Sequence, residues 1–396
     1  MKTKLTTLFL EFFESEKASG IVLLFSAVAA ILVANSPVGE TFLNFWHIKL
    51  GWDVGAIHLR YDIGHWINDG LMAIFFLLIG LEIEREFYVG ELSDLKNASL
   101  PIFAAIGGVL IPALIHYALN RGTSTQPGFG IPMATDIAFA LGILALVGKK
   151  VPLSLKIFLT AFAIIDDLIA ILVIALFYTG GLSLGYLALA LGIFAILMIL
   201  NRRGVHWLPI YLLLGLVMWY ALLQSGIHGT IAGVLLAFAI PFAKGDETSP
   251  SYRLQHFLHK PVAFLIMPIF ALANTGIVLS GDSLSSFFTR NTLGIFAGLL
   301  FGKPLGITLF SLLAVKAKWA TLPQGVSVRR LIGAGFLGGI GFTMSIFITL
   351  LAFGNTTFAQ NSKIAIIFGS ILAGTIGYFL LSHAPDADAE TGKDPA

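Results

Sequence analysis

An all-α integral membrane protein is the fold class that the sequence predicts, and two observations predict it. Of the 396 residues, 57% are hydrophobic and 12% are charged, whereas an average soluble domain carries about 25% charged residues. The apolar runs are long and continuous, as spanning helices require, and they lack the short alternation of barrel strands. Cysteine is absent, which excludes disulfides, thiolate metal sites and iron–sulfur clusters.

Twelve segments of the chain are apolar enough and long enough to span a hydrocarbon core about 30 Å thick. They lie near residues 20–35, 62–82, 98–118, 128–147, 153–178, 182–200, 207–223, 226–243, 260–279, 292–315, 331–353 and 363–382. If these segments alternate in direction, most of the 24 Lys and Arg residues fall on one side. Because cytoplasmic loops are enriched in Lys and Arg, we expect both termini in the cytoplasm.

Three further segments flank or interrupt the transmembrane domain, which we place at residues 20–382. Residues 1–19 space their apolar side chains as a helix does and predict an amphipathic helix at the membrane surface. Residues 47–61 alternate apolar and polar side chains around a Gly-containing turn, which predicts an outer, periplasmic β-hairpin. A lone hairpin is marginally stable, so a partner surface is expected, and a solvated loop is the alternative. Residues 383–396 are acidic and polar and predict a disordered tail.

Few ionisable side chains fall deep inside the predicted spans: Asp136, Asp166, Asp167 and Lys303. Each central Asp or Lys costs roughly 2.5–3.5 kcal/mol on insertion scales, so each one predicts a functional site that includes a partner. Asp166 and Asp167 are adjacent and project about 100° apart on a helix, so they can serve different partners. Lys303 has no acid in its own span, and Asp166 or Asp167 is its expected counter-charge. Snorkelling of Lys303 to the interface is the alternative.

Two of the predicted spans contain residues that interrupt helices. Pro132, four residues before Asp136, removes a backbone donor, and two glycines weaken the helix before it. A later span carries five glycines from Gly333 to Gly341. Two interrupted helices, one in each half of the chain, indicate a transporter site near the bilayer midplane, where helix ends supply partial charges to an ion. For the later span, close helix packing is the alternative interpretation.

Five stretches contain most of these residues: "WINDGLMAIFFLLIGLEIERE", "AAIGGVLIPALIHYALN", "GIPMATDIAFALGILALVG", "FLTAFAIIDDLIAILVIALFYT" and "GFLGGIGFTMSIFI". They resemble the NhaA-type Na+/H+ antiporters, over nearly the whole chain from about Glu16 to Ser382. The resemblance implies twelve transmembrane helices and an inverted repeat whose two interrupted helices cross. It also implies a cytoplasmic funnel to the ion site, and a transporter that is not an enzyme and has no cofactor.

The resemblance assigns roles at the ion site residue by residue. Asp166 and Asp167 match the carboxylates that bind the transported Na+ and exchange protons. Thr135 and Asp136 match the pair in the first unwound helix, and we expect them to take part in ion binding and proton exchange beside the two carboxylates. Lys303 matches the lysine that pairs with the first of the two aspartates and compensates its charge.

The resemblance also implies pH regulation and dimerisation. A cytoplasmic cluster linked to pH response is matched by Glu82, Arg85, Glu86, His256 and His259. Gln255 stands where the family pattern often has an acidic residue, so the pH threshold of the family does not transfer to this chain. Asp69 matches the acidic residue of the "WIND" motif. The hairpin matches an element that joins two protomers, which implies a homodimer.

The function expected on these grounds is electrogenic, pH-regulated export of Na+ or Li+ in exchange for protons across the bacterial inner membrane. Desolvation and mutual repulsion oppose simultaneous ionisation of two buried carboxylates, so a cation can replace protons at the same groups. The partners expected are Na+, H+ and the lipid bilayer, without nucleic acid. A sodium-coupled symporter of an organic anion is one alternative, but its substrate would require more deep cationic groups than Lys303. An intramembrane aspartyl protease is a remote alternative, because the Tyr-Asp and Gly-x-Gly-Asp patterns do not occur at the buried aspartates.

Overall fold

The chain consists of apolar helices that form two compact units. The computed structural model describes residues 2–55, 57–279 and 287–384. The first unit comprises Met1–Val22, Glu91–Ala170 and Leu279–Ala396, and the second comprises Leu23–Gly90 and Ile171–Val278. Asp136, Asp166, Asp167 and Lys303 all belong to the first unit, whereas the residues matched to pH response belong to the second.

The α-helices follow one another through both units. In the first half of the chain they are α1 (Lys2–Ala34), α2 (Gly39–Phe45), α3 (Ile63–His65), α4 (Met72–Val89), α5 (Leu95–Asn120), α6 (Ile137–Val147) and α7 (Leu153–Phe177). In the second half they are α8 (Leu184–Arg202), α9 (Leu208–Ser225), α10 (Thr230–Ala239), α11 (Pro250–Pro261), α12 (Met267–Asn274), α13 (Arg290–Ala297), α14 (Lys303–Lys316), α15 (Val328–Gly338), α16 (Phe342–Phe353) and α17 (Thr357–Ser382). The 3-10 segments are Glu91–Ser93, Gln126–Met133 and Gly148–Lys150, and the π-helical segments are Trp66–Leu71, Val262–Ile266 and Gly298–Gly302.

The described residues contain nine helical stretches long and apolar enough to cross a membrane, and the bent pair α15 and α16 makes a tenth. Two shorter apolar helices are Ala18–Ala34 and Thr230–Ala239. Each of the twelve predicted segments coincides with one of these helices, so the prediction of an all-α, multi-pass membrane protein is confirmed. Helix α1 runs without interruption from Lys2 to Ala34, so the predicted surface helix and the first predicted span form one continuous helix.

Two π-helical segments are explained by the proline that follows them. Gly298–Gly302 ends two residues before Pro304, and Val262–Ile266 ends two residues before Pro268. Proline lacks the N–H that an α-helix would use and crowds the preceding turn, and a local π-bulge accommodates it. The first of these bulges leads directly into Lys303, the first residue of α14.

Helices α5 and α14 of the first unit pack at backbone distance. A Cβ built on Gly107 would lie 2.2 Å from the Gly306 carbonyl oxygen, and a Cβ on Gly306 would lie 2.1 Å from that of Gly107. Any larger residue at either position would therefore separate the two helices. Small residues that allow such an approach are a common packing device in membranes.

A β-hairpin is present where the sequence predicts one, and its place on the outer side of the membrane stays a prediction. Strand β1 (Lys49–Leu50) pairs with β4 (Tyr61–Asp62), and β2 (Asp53–Val54) pairs with β3 (Ile57–His58), both antiparallel. Ala56, between β2 and β3 in the sequence, is outside the described residues.

Side chains anchor the hairpin within the second unit. The Gln224 amide on α9 donates to the His58 carbonyl oxygen at 3.2 Å, and the Asp62 carboxylate accepts from the His65 N–H at 2.6 Å. These bonds hold both the tip and the base of the hairpin. The predicted acidic tail at 383–396 lies outside the described residues after Ala384 and stays a prediction.

Candidate ion-binding site

The site of the first unit begins with two interrupted helices, as the sequence predicts. The 3-10 segment Gln126–Met133 contains Pro132 and ends in extended backbone at Ala134, where ψ is 149°. Helix α6 starts only at Ile137. Helices α15 and α16 are likewise separated at the glycine-rich stretch and bend by 46°. Both breaks are therefore real interruptions of membrane-spanning helices.

The two breaks satisfy each other's backbone groups. The Asp136 N–H donates to the Ile340 carbonyl oxygen at 2.6 Å, and the Thr135 hydroxyl donates to the Gly338 carbonyl oxygen at 2.8 Å. Unwound backbone is tolerated at membrane depth only where protein or enclosed water satisfies it. These bonds explain how the chain can leave helical geometry inside an apolar environment.

The Asp136 carboxylate lies at the start of two helices. One oxygen accepts from the Phe139 N–H at 3.1 Å and so caps α6. The other accepts from the Thr343 N–H at 3.1 Å and from the Thr343 hydroxyl, in the first turn of α16. Helix N-termini carry partial positive charge, so an anion here stabilises both half-helices. Sequence reasoning identified Asp136 but missed Thr343, whose only signal was its place just after the glycine-rich break.

Lys303 and Asp166 form a completely buried ion pair. The Lys303 ammonium lies 2.6 Å from one oxygen of Asp166 and 2.7 Å from the other, and both side chains are 0% exposed. Of the two aspartates that the sequence offered as the counter-charge, Lys303 contacts the first. A buried charge must be paired, because an isolated one is strongly disfavoured away from water.

Asp167 is the next residue of α7 and is also buried, with 1% of its surface exposed. Its charge acts on Lys303, but the hydrogen bonds of the ammonium go to Asp166. Thr135, fully buried, lies beside the Asp166 carboxylate. The first unit thus brings Thr135, Asp166, Asp167 and Lys303 together next to the paired breaks. Carboxylate, hydroxyl and backbone oxygens are the donors that a hard cation prefers.

A cavity of about 210 Å³ lies in the first unit, between α5, α7 and the loop after α14. Charged and polar side chains line part of it, including Glu91, Lys96 and Ser154. Phe158 and Ala161 of α7 contribute an apolar wall. Ala161 is five residues from Asp166, which corresponds to about 7.5 Å along a helix.

The residues matched to pH response lie in the second unit on α4 and α11, which pack against each other. Arg85 and His256 are exposed, and Glu82, Glu86 and His259 are half-buried. The His256 ring stacks on Tyr252 with centroids 5.1 Å apart. The structure therefore brings the two charged segments together, as a cluster would require.

Helix α4 contains a further acidic residue that sequence reasoning did not single out. It is the most buried of the acidic residues on this helix. Glu84 is 4% exposed, and its Oε2 has no hydrogen-bond partner within the part of the chain that the structure describes. The alternation of charged residues in "LEIERE" gave no reason to prefer it. Asp69 belongs to the π-helical segment Trp66–Leu71, and its carboxylate lies 3.6 Å from the His65 ring.

Known proteins are similar to this chain along nearly its whole length. A sequence profile of the family described as "Na+/H+ antiporter 1" matches residues 10–381. A protein of Flavobacterium psychrophilum named "Na(+)/H(+) antiporter NhaA" is 57% identical over 96% of this chain and 97% of its own length. Proteins of the same name from Dechloromonas aromatica and Cytophaga hutchinsonii are 57% and 56% identical, covering 98% and 96% of each chain.

Proposed function

The chain belongs to the Na+/H+ antiporter 1 family and is a Na+/H+ antiporter, and we propose that Na+ and protons compete for Asp166 and Asp167. The observation that supports this mechanism is the buried pair of Lys303 and Asp166 beside a second buried carboxylate. With the Lys303 ammonium on Asp166 and a proton on Asp167, the site is neutral without Na+. An entering Na+ must therefore replace a positive charge that the protein itself supplies.

The exchange follows from this replacement. A Na+ ion that binds both carboxylates takes the place of the proton on Asp167 and of the ammonium on Asp166. Metal ligands must be deprotonated before they coordinate, so acidification opposes cation binding. If protons leave from both Asp167 and Lys303, one turnover moves net charge, and the membrane potential drives it at about 2.3 kcal/mol per charge per 100 mV. Exchange is then electrogenic, and Li+, another hard cation, uses the same oxygens.

Asp136 and Thr343 keep the two breaks in place while the ions exchange. The Asp136 carboxylate offsets the partial positive charge of both helix N-termini. It does so whichever ion is bound at the neighbouring carboxylates. Thr135 adds its hydroxyl and backbone oxygens as further ligands for the cation. Alternating access then requires that the cation-loaded and proton-loaded forms cross, and that the doubly charged empty form does not.

We further propose the setting in which this exchange takes place. The protein lies in the bacterial inner membrane with both termini in the cytoplasm, as the distribution of Lys and Arg favours. The cluster of Glu82, Arg85, Glu86, His256 and His259 adjusts the rate with pH, since histidine is the side-chain type that serves as a switch near physiological pH. The outer hairpin pairs with its copy in a second protomer.

The decisive experiment for the function is Na+-evoked pH change in proteoliposomes that contain only this protein. Addition of Na+ or Li+ to one side should move protons in the opposite direction, and K+ should have no effect. A membrane potential imposed with valinomycin should change the initial rate if net charge moves. Proteoliposomes that take up Na+ with no proton movement would refute the proposal.

A further inference from the structure

The aromatic ring of Phe162 lies against the buried ion pair. The Lys303 ammonium is 5.4 Å from the centroid of this ring, within the roughly 6 Å over which a cation is attracted to an aromatic face. Phe162 is 0% exposed and lies one helical turn before Asp166 on α7. One helix therefore presents both a carboxylate and a ring face to the same ammonium.

Two glycines on neighbouring helices make room for this ring. A Cβ on Gly108 of α5 would lie 3.3 Å from the Phe162 ring, and a Cβ on Gly338 of α15 would lie 3.2 Å from it. Both distances are tighter than ordinary carbon contacts. The ring is thus held between α5 and α15, and its position over Lys303 is determined by packing from two sides.

A second ring provides a natural comparison. Phe158 stacks on Phe162, with centroids 6.5 Å apart and planes at 22°. Phe158 lines the 210 Å³ cavity, whereas the Lys303 ammonium lies over the ring of Phe162. Both residues are phenylalanines on α7, but their neighbours differ.

We propose that Phe162 is a positioning residue that holds the Lys303 ammonium on Asp166 and thereby sets how strongly Lys303 competes with Na+. The inference rests on the proposed function, in which Na+ must displace that ammonium. The ring face attracts a cation and stabilises the paired state. Weakening the face therefore makes the ammonium easier to displace, and less Na+ is needed for half-maximal exchange at a fixed pH.

The contact between Lys303 and Phe162 is separate from the other charged groups on the helices around it. Among the described residues, Asp166 and Asp167 are the charges that act on it. Of the helices packed against α14, α5 carries Lys96, His116 and Tyr117. Helix α15 carries Arg329 and Arg330 in its first turn. All five lie two helical turns or more from the glycine of their helix that touches Phe162.

The test is a series of fluorinated phenylalanines at position 162, because fluorine withdraws electrons from the ring face with little change in size. Exchange is measured in proteoliposomes at one pH over a range of Na+ concentrations. We expect the half-saturating Na+ concentration to fall progressively with fluorine number, by roughly two- to fivefold in total. The maximal rate should not rise in parallel. Phe162→Leu, which removes the ring, should have the lowest half-saturating Na+ concentration of the series.

The same series at Phe158 is the matched control and should leave half-saturation unchanged. In a Lys303→Met background, fluorination at 162 should no longer change Na+ binding, measured as Na+-induced thermal stabilisation. A constant half-saturation across the series at 162, or an equal change at 158, would overturn the inference even if the unsubstituted protein exchanges normally. Failure of the unsubstituted protein to exchange Na+ for protons would instead refute the proposed function.

Discussion

Thr343 donates both its backbone N–H and its hydroxyl to one oxygen of Asp136, and this joins the two interrupted helices of the first unit. The other oxygen of the same carboxylate caps α6. One side chain therefore serves as the common N-terminal anion of α6 and α16. The geometry of the ion site depends on this joint, because Thr135 is the residue next to Asp136.

Thr343→Val tests the joint, since valine keeps the shape of threonine but removes the hydroxyl. A hydrogen bond to a charged group contributes about 1.5–3 kcal/mol, so we expect a clear fall in the thermal unfolding midpoint in detergent. Thr343→Ser retains the hydroxyl and should unfold close to the wild-type temperature. Equal midpoints for the valine and serine variants would show that the hydroxyl does not hold the breaks together.

Asp167→Asn tests the second carboxylate of the ion site. Asparagine keeps the size of the side chain but cannot alternate between a proton and a cation. Even residues that only support metal ligands change affinity about 10- to 100-fold, so we expect exchange to fall by about 100-fold or more. Glu247→Gln, in an exposed loop, is the control and should exchange normally. Near-normal exchange by folded Asp167→Asn protein would remove Asp167 from the site.

Lys303→Ala tests the buried pair through stability. Removing one partner of a buried ion pair leaves an uncompensated charge and typically costs about 3–5 kcal/mol. Thermal stability should therefore fall, and the additional change Asp166→Asn should partly restore it. The double-mutant cycle measures this coupling. If the two losses simply add, the contact between Lys303 and Asp166 contributes nothing to stability.

Deletion of residues 47–61 tests the proposed dimer. An exposed strand edge can pair with another chain through its free backbone groups. The deletion variant should be a monomer in mild detergent, as measured by light scattering. It should still exchange ions, because the carboxylates lie in the other unit. Unchanged dimers would exclude the hairpin from the interface.

Much of the architecture was predictable because membrane spans depend on local hydropathy. The breaks were also predictable, since Pro132 and the glycines from Gly333 to Gly341 disrupt helices wherever they occur. From the residues alone, the partner of Lys303 was open between two adjacent aspartates, and only the family resemblance assigned it to the first. Which aspartate faces Lys303 depends on the rotation of α7 about its axis. Packing against neighbouring helices determines that rotation, and no local sequence pattern reveals it.

The residues that sequence reasoning missed share one physical cause. Phe162 stands in an apolar run where an aromatic residue looks like any other packing residue, and Thr343 looks like a neutral helix residue. Glu84 was hidden among neighbouring charges. In each case the notable feature is a contact across helices or burial, and neither can be deduced from spacing along the chain.

The central claim is that Na+ and protons compete for Asp166 and Asp167, and the most direct test is the transient current evoked by Na+ jumps on supported membranes at several pH values. Competition requires apparent Na+ affinity to weaken on acidification, by about tenfold per pH unit for each proton displaced. A regulatory change at the cluster of α4 and α11 would instead alter the maximal current at saturating Na+. We predict a sloped dependence whose steepness counts the protons exchanged. An apparent Na+ affinity that stays constant over the same pH range would contradict the account.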